Sequence, residues 1–143
     1  MRVLGLLRRD NALCVSADER IAAVGARLAV DGVRLACVCT VERQLLGVVT
    51  AGDIKRAALS GRIEYGEWPV QSVMTADVVT CAPEDDLDRV LDLMQQHEMH
   101  TLPVVTGGRV VGCVSLAEAL AQSREETRRH VDYLTAFVFG AAA

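Results

Sequence analysis

The chain carries one pattern twice. The segment LCVSADERIAAVGARLAVDGVRLACVCTVERQLLGVVTAGDI returns about 66 residues later as VTCAPEDDLDRVLDLMQQHEMHTLPVVTGGRVVGCVSLAEAL. A duplication on this scale constrains the fold strongly, because each copy is one supersecondary unit and the two must close a core together. Both copies give the same signals in the same order. A short β-type stretch comes first, at 12–15 and 78–81. Acidic residues follow, with Pro83 in the second copy, where a helix begins: Ser16-Ala17-Asp18-Glu19, then Ala82-Pro83-Glu84-Asp85. Acidic groups and proline suit a first helical turn, whose N–H groups are free and whose dipole is positive. Apolar residues then recur near the 3.6 period at Ile21, Val24 and Leu28, and at Leu87, Val90, Leu91 and Met94.

Two β-type runs close each copy. In the second copy they span 102–105 and 110–114 around Thr106-Gly107-Gly108-Arg109, a strong hairpin signal. In the first they span 36–40 and 45–49 around Val41–Gln44, in a hairpin one residue longer. A hydroxyl residue, Thr50 or Ser115, then caps a final helix. The expected fold is α/β (α+β), built from two β-α-β-β-α repeats. The expected boundaries are 1–60 for the first repeat, 61–72 for a linker with Gly61, Gly66 and Pro69 as breakers, 73–122 for the second repeat, and 123–143 for a C-terminal helix. That helix runs from about Leu116 to Phe139, with an apolar stripe at Val131, Leu134, Phe137 and Val138. Aromatics make up only 3% of the chain, so its core is aliphatic.

Charge and composition narrow the function. A net charge of −4 argues against a nucleic-acid surface, which needs clustered Lys and Arg. No apolar run approaches the ~20 residues of a membrane span, and the N-terminus lacks an export signal, so a cytoplasmic protein is expected. The five cysteines then read as reduced thiols. Cys37 and Cys39 lie two apart on one strand face, but two thiols cannot complete a zinc site alone. Cys14, Cys81 and Cys113 fall in strands, as small buried hydrophobes. No metal site is expected. No Ser-His-Asp set, Walker loop or dinucleotide glycine motif occurs, so the chain reads as a non-enzyme.

The tandem unit resembles the cystathionine-β-synthase-type (CBS) domain pair. The resemblance rests on Val73-Met74-Thr75 at the opening of the second copy and Leu102-Pro103-Val104-Val105 in its hairpin. It rests also on the closing motifs Gly47-Val48-Val49-Thr50-Ala51-Gly52-Asp53 and Gly112-Cys113-Val114-Ser115-Leu116-Ala117-Glu118. Two departures stand out: Ala36-Cys37-Val38-Cys39 lacks the hairpin proline, and Glu118 replaces an aspartate. The resemblance implies a pseudo-twofold module that binds an adenosine-containing ligand between the repeats: AMP, ADP, ATP or S-adenosylmethionine, with no covalent cofactor. Thr50 and Asp53 project from one helical turn, and a carboxylate can accept both hydroxyls of a ribose. By resemblance, Asp53 holds the ribose, Thr50 lies near phosphate, and Val48 and the backbone at Val79 meet the adenine. Arg34, His100 and Thr101 face phosphates, with Lys55 a further cation. A weaker mirrored site uses Leu13, Leu35, Cys113, Ser115 and Glu118. The same hydroxyl-and-acid pairs also make plain helix caps. A homodimer through the helices, and an unidentified regulated protein, are the expected partners. The alternatives are a ligand-free interaction scaffold with a vestigial site and a thiol-based redox sensor.

Overall fold

A computed structural model of the chain describes residues 2–6, 12–31, 33–61 and 63–135. In the first repeat, strand β1 (Leu13–Val15) leads to helix α1 (Ile21–Asp31). Strands β2 (Leu35–Cys39) and β3 (Leu45–Thr50) follow, then helix α2 (Ala51–Leu59). Short 3-10 turns at Ile63–Glu67 and Val70–Ser72 carry the chain onward. The second repeat has helix α3 (Leu87–Gln96), strands β4 (Thr101–Thr106) and β5 (Arg109–Ser115), and helix α4 (Leu116–Thr135). Positions 136–139, expected to continue that last helix, lie outside the described residues.

β1 pairs in parallel with β2, and β2 pairs antiparallel with β3; β4 and β5 form a separate antiparallel hairpin. Gly107 (φ 57°) and Gly108 (φ 81°) supply the two positive-φ positions of its tight turn. The repeats match in detail. The register slips between Val38 and Cys39 and, at the same offset, between Val104 and Val105.

The second copy departs from expectation at 78–81. No strand forms there; only Cys81 bridges, in parallel, to Val104, where β1 pairs Val15 with Val38. The cause is a crossing. Thr75 exchanges both backbone hydrogen bonds with Val48 of β3 (2.9 and 2.8 Å), whereas Cys81 donates to Pro103 and accepts from Val105. The chain thus passes from one repeat to the other within six residues. The helix starts differ too. α1 and α3 begin at Ile21 and Leu87, two residues beyond Glu19 and Asp85. Glu19 accepts the N–H of Ser16 (2.8 Å) and Asp85 that of Ala82 (2.9 Å). A carboxylate that satisfies the N–H three residues back closes a turn of its own and delays the helix.

Three apolar clusters fill the interior. Val15, Val24, Leu28, Ala36, Val38 and Val49 build the core of the first repeat, and Leu87, Val90, Met94, Leu102, Val104 and Val114 that of the second. Leu35, Cys37, Cys39, Val48, Val110 and Cys113 form a third cluster between the repeats. The split follows strand alternation: 35, 37 and 39 face the seam while 36 and 38 face α1. Each fully buried Leu, Ile, Val or Met stabilises by about 1.5–3 kcal/mol. The lead segments are crossed. Val70, from the linker, is buried in the first repeat's core; Val3, from the N-terminus, is buried in the second's. The backbone repeats the exchange: Val70 donates to the Glu19 carbonyl (2.7 Å) and Val3 to that of Asp85 (2.9 Å).

Burial, and next the nearby Asp85 carboxylate, push the Cys81 thiol from an ordinary 9.0 up to about 12. A thiol that stays protonated in the fold but ionises once unfolded stabilises fully below about pH 9, and that contribution fades as pH rises toward 12. Val15 fills the equivalent place in the first repeat. Cys81→Val is therefore expected to match the parent's melting temperature at pH 7 and to lose less of it between pH 9 and 11. Identical losses in parent and variant would exclude this cause.

Candidate ligand-binding cleft

Both closing turns put a hydroxyl and an acid at a helix start, but they use the acid differently. Thr50 is the N-cap of α2, in extended backbone (φ −108°, ψ 163°). Its hydroxyl accepts the Asp53 N–H (3.1 Å), and Asp53 accepts the Thr50 N–H (2.9 Å), a complete capping box. The other Asp53 oxygen pairs with Arg56, and the carboxylate side chain is only 14% exposed. At α4, the Ser115 hydroxyl likewise accepts the Glu118 N–H (3.1 Å). Here no return bond closes the box: among the described residues the longer Glu118 side chain makes no hydrogen bond or ion pair, and it stands exposed. One extra methylene separates an acid folded onto its cap from one directed at an opening.

Two neighbouring cavities lie where the repeats meet. The larger, about 920 Å³, is lined by Leu13, Arg34, Leu35, Cys113, Ser115 and Glu118, among others. The smaller, about 450 Å³, is lined by Arg34, Leu35, Thr50, Gly52, Met99 and Thr101, among others. Arg34, Leu35, His100 and Thr101 line both. These shared walls are held symmetrically: the Arg34 carbonyl accepts the first N–H of α2 (Ala51, 3.1 Å), and the His100 carbonyl that of α4 (Leu116, 2.8 Å). An exposed guanidinium thus stands beside both cavities, and an exposed carboxylate stands at the larger.

All five residues of the expected second set, Leu13, Leu35, Cys113, Ser115 and Glu118, line the larger cavity. Of the first set, Arg34, Thr50, His100 and Thr101 surround the smaller one. Asp53, Val48 and Val79 line neither, and nor does Lys55. Asp53 is turned to its cap, Val48 is buried at the seam, and Val79 packs against the second repeat's core. Ala12, Val33 and Leu120 add apolar wall that the sequence reading omitted. Leu120 carries a helical signal, four residues beyond Leu116; Ala12 and Val33 carry none. Among the described residues no cluster of His, Cys, Asp and Glu could hold a metal ion. No helix among them is long and apolar enough to cross a membrane.

Comparison with known proteins shows what this fold is similar to. The CBS domain model matches residues 70–125. The CBS domain-containing protein YhcV of Bacillus subtilis is 36% identical over 75 residues, 52% of this chain and 52% of that protein. The chain thus spans about half of that relative's length. It spans 14% of a homoserine O-acetyltransferase from Methanosphaera stadtmanae, at 29% identity over 76 residues. Among solved structures, the CBS domain pair of protein MJ0100, in complex with 5′-methylthioadenosine and S-adenosyl-L-methionine, superposes with a TM-score of 0.77 at 20% identity, over 88% of this chain and 98% of that one. The CBS domain protein PAE2072 from Pyrobaculum aerophilum, complexed with AMP, gives 0.74 at 23% identity, over 82% and 89%. At such identities the superpositions speak for the fold. The chain therefore has the fold of a CBS domain pair, and its second repeat is the part that matches the CBS domain model.

Proposed function

We propose that the chain is a regulatory module that binds an adenosine-containing ligand, AMP, ADP, ATP or S-adenosylmethionine, in the cleft between its repeats. The observation that carries this reading is the 920 Å³ cavity, which gathers an exposed cation, Arg34, and an exposed acid, Glu118, around apolar walls. The volume lies within the range of small-molecule sites. Glu118 would accept the two ribose hydroxyls, Arg34 would meet phosphate or the amino-acid carboxylate, and Leu13, Leu35 and Cys113 would pack on the base. The smaller cavity, with Thr50, His100 and Thr101, is the second site of the same reading. The structures of MJ0100 and PAE2072 support it with adenosine-type ligands on the same fold. Binding would act by favouring one packing of the repeats over another. The proposal includes a homodimer through α4, whose Val131 and Leu134 are 53% and 45% exposed.

The test is a titration of the chain with AMP, ATP and S-adenosylmethionine, followed by melting temperature, which any ligand selective for the native state raises. A charge-assisted hydrogen bond contributes about 1.5–3 kcal/mol. Glu118→Ala is therefore expected to weaken binding roughly 10- to 100-fold, with Asp53→Ala weakening it less. A loss confined to Asp53→Ala would move the ligand to the smaller cavity. No shift with any of the three ligands would overturn the reading and leave an interaction scaffold.

A further inference from the structure

Away from the cleft, one side-chain cluster has no part in ligand binding. Cys14 of β1 stands opposite Cys37 in the parallel register, and Cys39 lies two residues further along the same face of β2, which makes Cys14 and Cys39 neighbours on that face. A separate cavity of about 430 Å³ opens onto both, lined also by Glu19, Arg27, Thr40 and Arg43. Cys14 is partly exposed, whereas Cys37, Cys39, Cys81 and Cys113 are buried. Arg27 is held by Glu19 (3.1 Å), and the Nε of Arg43 donates to the Val110 carbonyl (3.1 Å), so both guanidinium groups have fixed anchors beside the sulfurs.

We propose that Cys14 and Cys39 form a peroxide-reactive dithiol site, with Cys14 the attacking sulfur and Cys39 the resolving one. The oxidant is hydrogen peroxide or an organic hydroperoxide small enough for the cavity. The Cys14 thiolate attacks one peroxide oxygen; an S–O bond forms, the O–O bond breaks, and the departing oxygen leaves as water or alcohol after protonation. Cys14 is oxidised by two electrons to a sulfenic acid and the peroxide is reduced by two. The Cys39 sulfur then attacks the Cys14 sulfur. An S–S bond forms, the S–O bond breaks, and the released hydroxide takes the Cys39 proton to become water.

The surroundings assign these roles. The Cys39 thiol donates to Cys14 and thereby holds it in its thiolate form; the Arg43 and Arg27 charges act in the same sense, against the opposing effect of burial. The Cys14 thiol ionises at about 6, within the range of reactive cysteines. Cys39 is pushed up, first by that same bond and then by burial, so it keeps the proton that the second step needs. Cys37 stands opposite Cys14 in the strand register, but it belongs to the apolar seam cluster with Cys113 and is wholly buried. Glu19, the acid at this cavity, is paired with Arg27, and no group of His, Cys, Asp and Glu able to hold a metal occurs among the described residues.

The test uses the reduced 143-residue chain, hydrogen peroxide, and peptide mapping after denaturation and alkylation. Cys14 and Cys39 are expected to lose alkylation together and to appear in one disulfide-linked peptide pair. Cys81 is expected to be oxidised at least about tenfold more slowly than Cys14. In Cys39→Ser, dimedone is expected to label Cys14; in Cys14→Ser, Cys39 is expected to stay reduced. Mapping of the parent chain decides the matter even where a variant folds poorly. Five fully alkylated thiols after peroxide, linkage of Cys37 to Cys113 instead, or equal rates at Cys14 and Cys81 would each overturn the proposal.

Discussion

Gly47→Ala is expected to destabilise the chain by roughly 2–4 kcal/mol, although it adds a single methyl group. A Cβ at Gly47 would lie 2.7 Å from the Thr75 carbonyl oxygen and 2.8 Å from the Met74 sulfur. The methionine can swing aside. The carbonyl cannot, because it accepts the Val48 N–H, and the Thr75 N–H returns a bond to Val48. Relief therefore means losing that pair of bonds or lifting β3 away from the crossing segment. Val48 is buried among Leu35, Cys37 and Val110, so the displacement reaches the seam. Overpacking costs about 1–3 kcal/mol, and each hydrogen bond lost adds about 0.5–1.5. The urea midpoint is expected to fall accordingly. An unchanged midpoint would mean that the crossing segment yields freely and does not hold the repeats.

Leu102→Ala is expected to cost about 2–5 kcal/mol, and Leu102→Met less than about 1.5. Leu102 is fully buried in β4, opposite Val114, and packs in one cluster with Leu87, Val90 and Met94. Truncation leaves a cavity that two strands and a helix cannot close without breaking their own ladders. Because Val3, from the other end of the chain, belongs to the same cluster, a single cooperative unfolding transition is expected for parent and variant alike. A variant that loses less than about 1 kcal/mol would show a core able to collapse around the gap. A split transition would show repeats that unfold separately.

Much of the fold was legible because its signals are local. Gly107-Gly108 sets its hairpin, and the periodic Leu87, Val90 and Met94 face one core. What stayed hidden depends on distant partners. Nothing near Val78 tells that Thr75 is drawn to Val48, so the run read as a strand. Glu19 and Asp85 carry a helix-start signal, yet their bonds to Ser16 and Ala82 make them the end of a turn. The candidate site divides in the same way. The spacing of Thr50 and Asp53, and of Ser115 and Glu118, placed acid and hydroxyl on one turn. Whether the acid folds back to its cap or faces a cavity depends on side-chain length and on Arg56, which pairs with Asp53. The gathering of Arg34 with Glu118 is set by packing between the repeats, and no periodicity within either repeat encodes it.

The exchange of Val3 and Val70 gives the duplication a strict meaning. Neither half owns the plug for its own interior, so an excised half would present an open hydrophobic socket and a stray apolar arm. Two such halves could satisfy each other only by trading arms. A lone unit of this design is therefore obliged to pair, and joining two units in one polypeptide turns that obligation into a permanent embrace within a single chain.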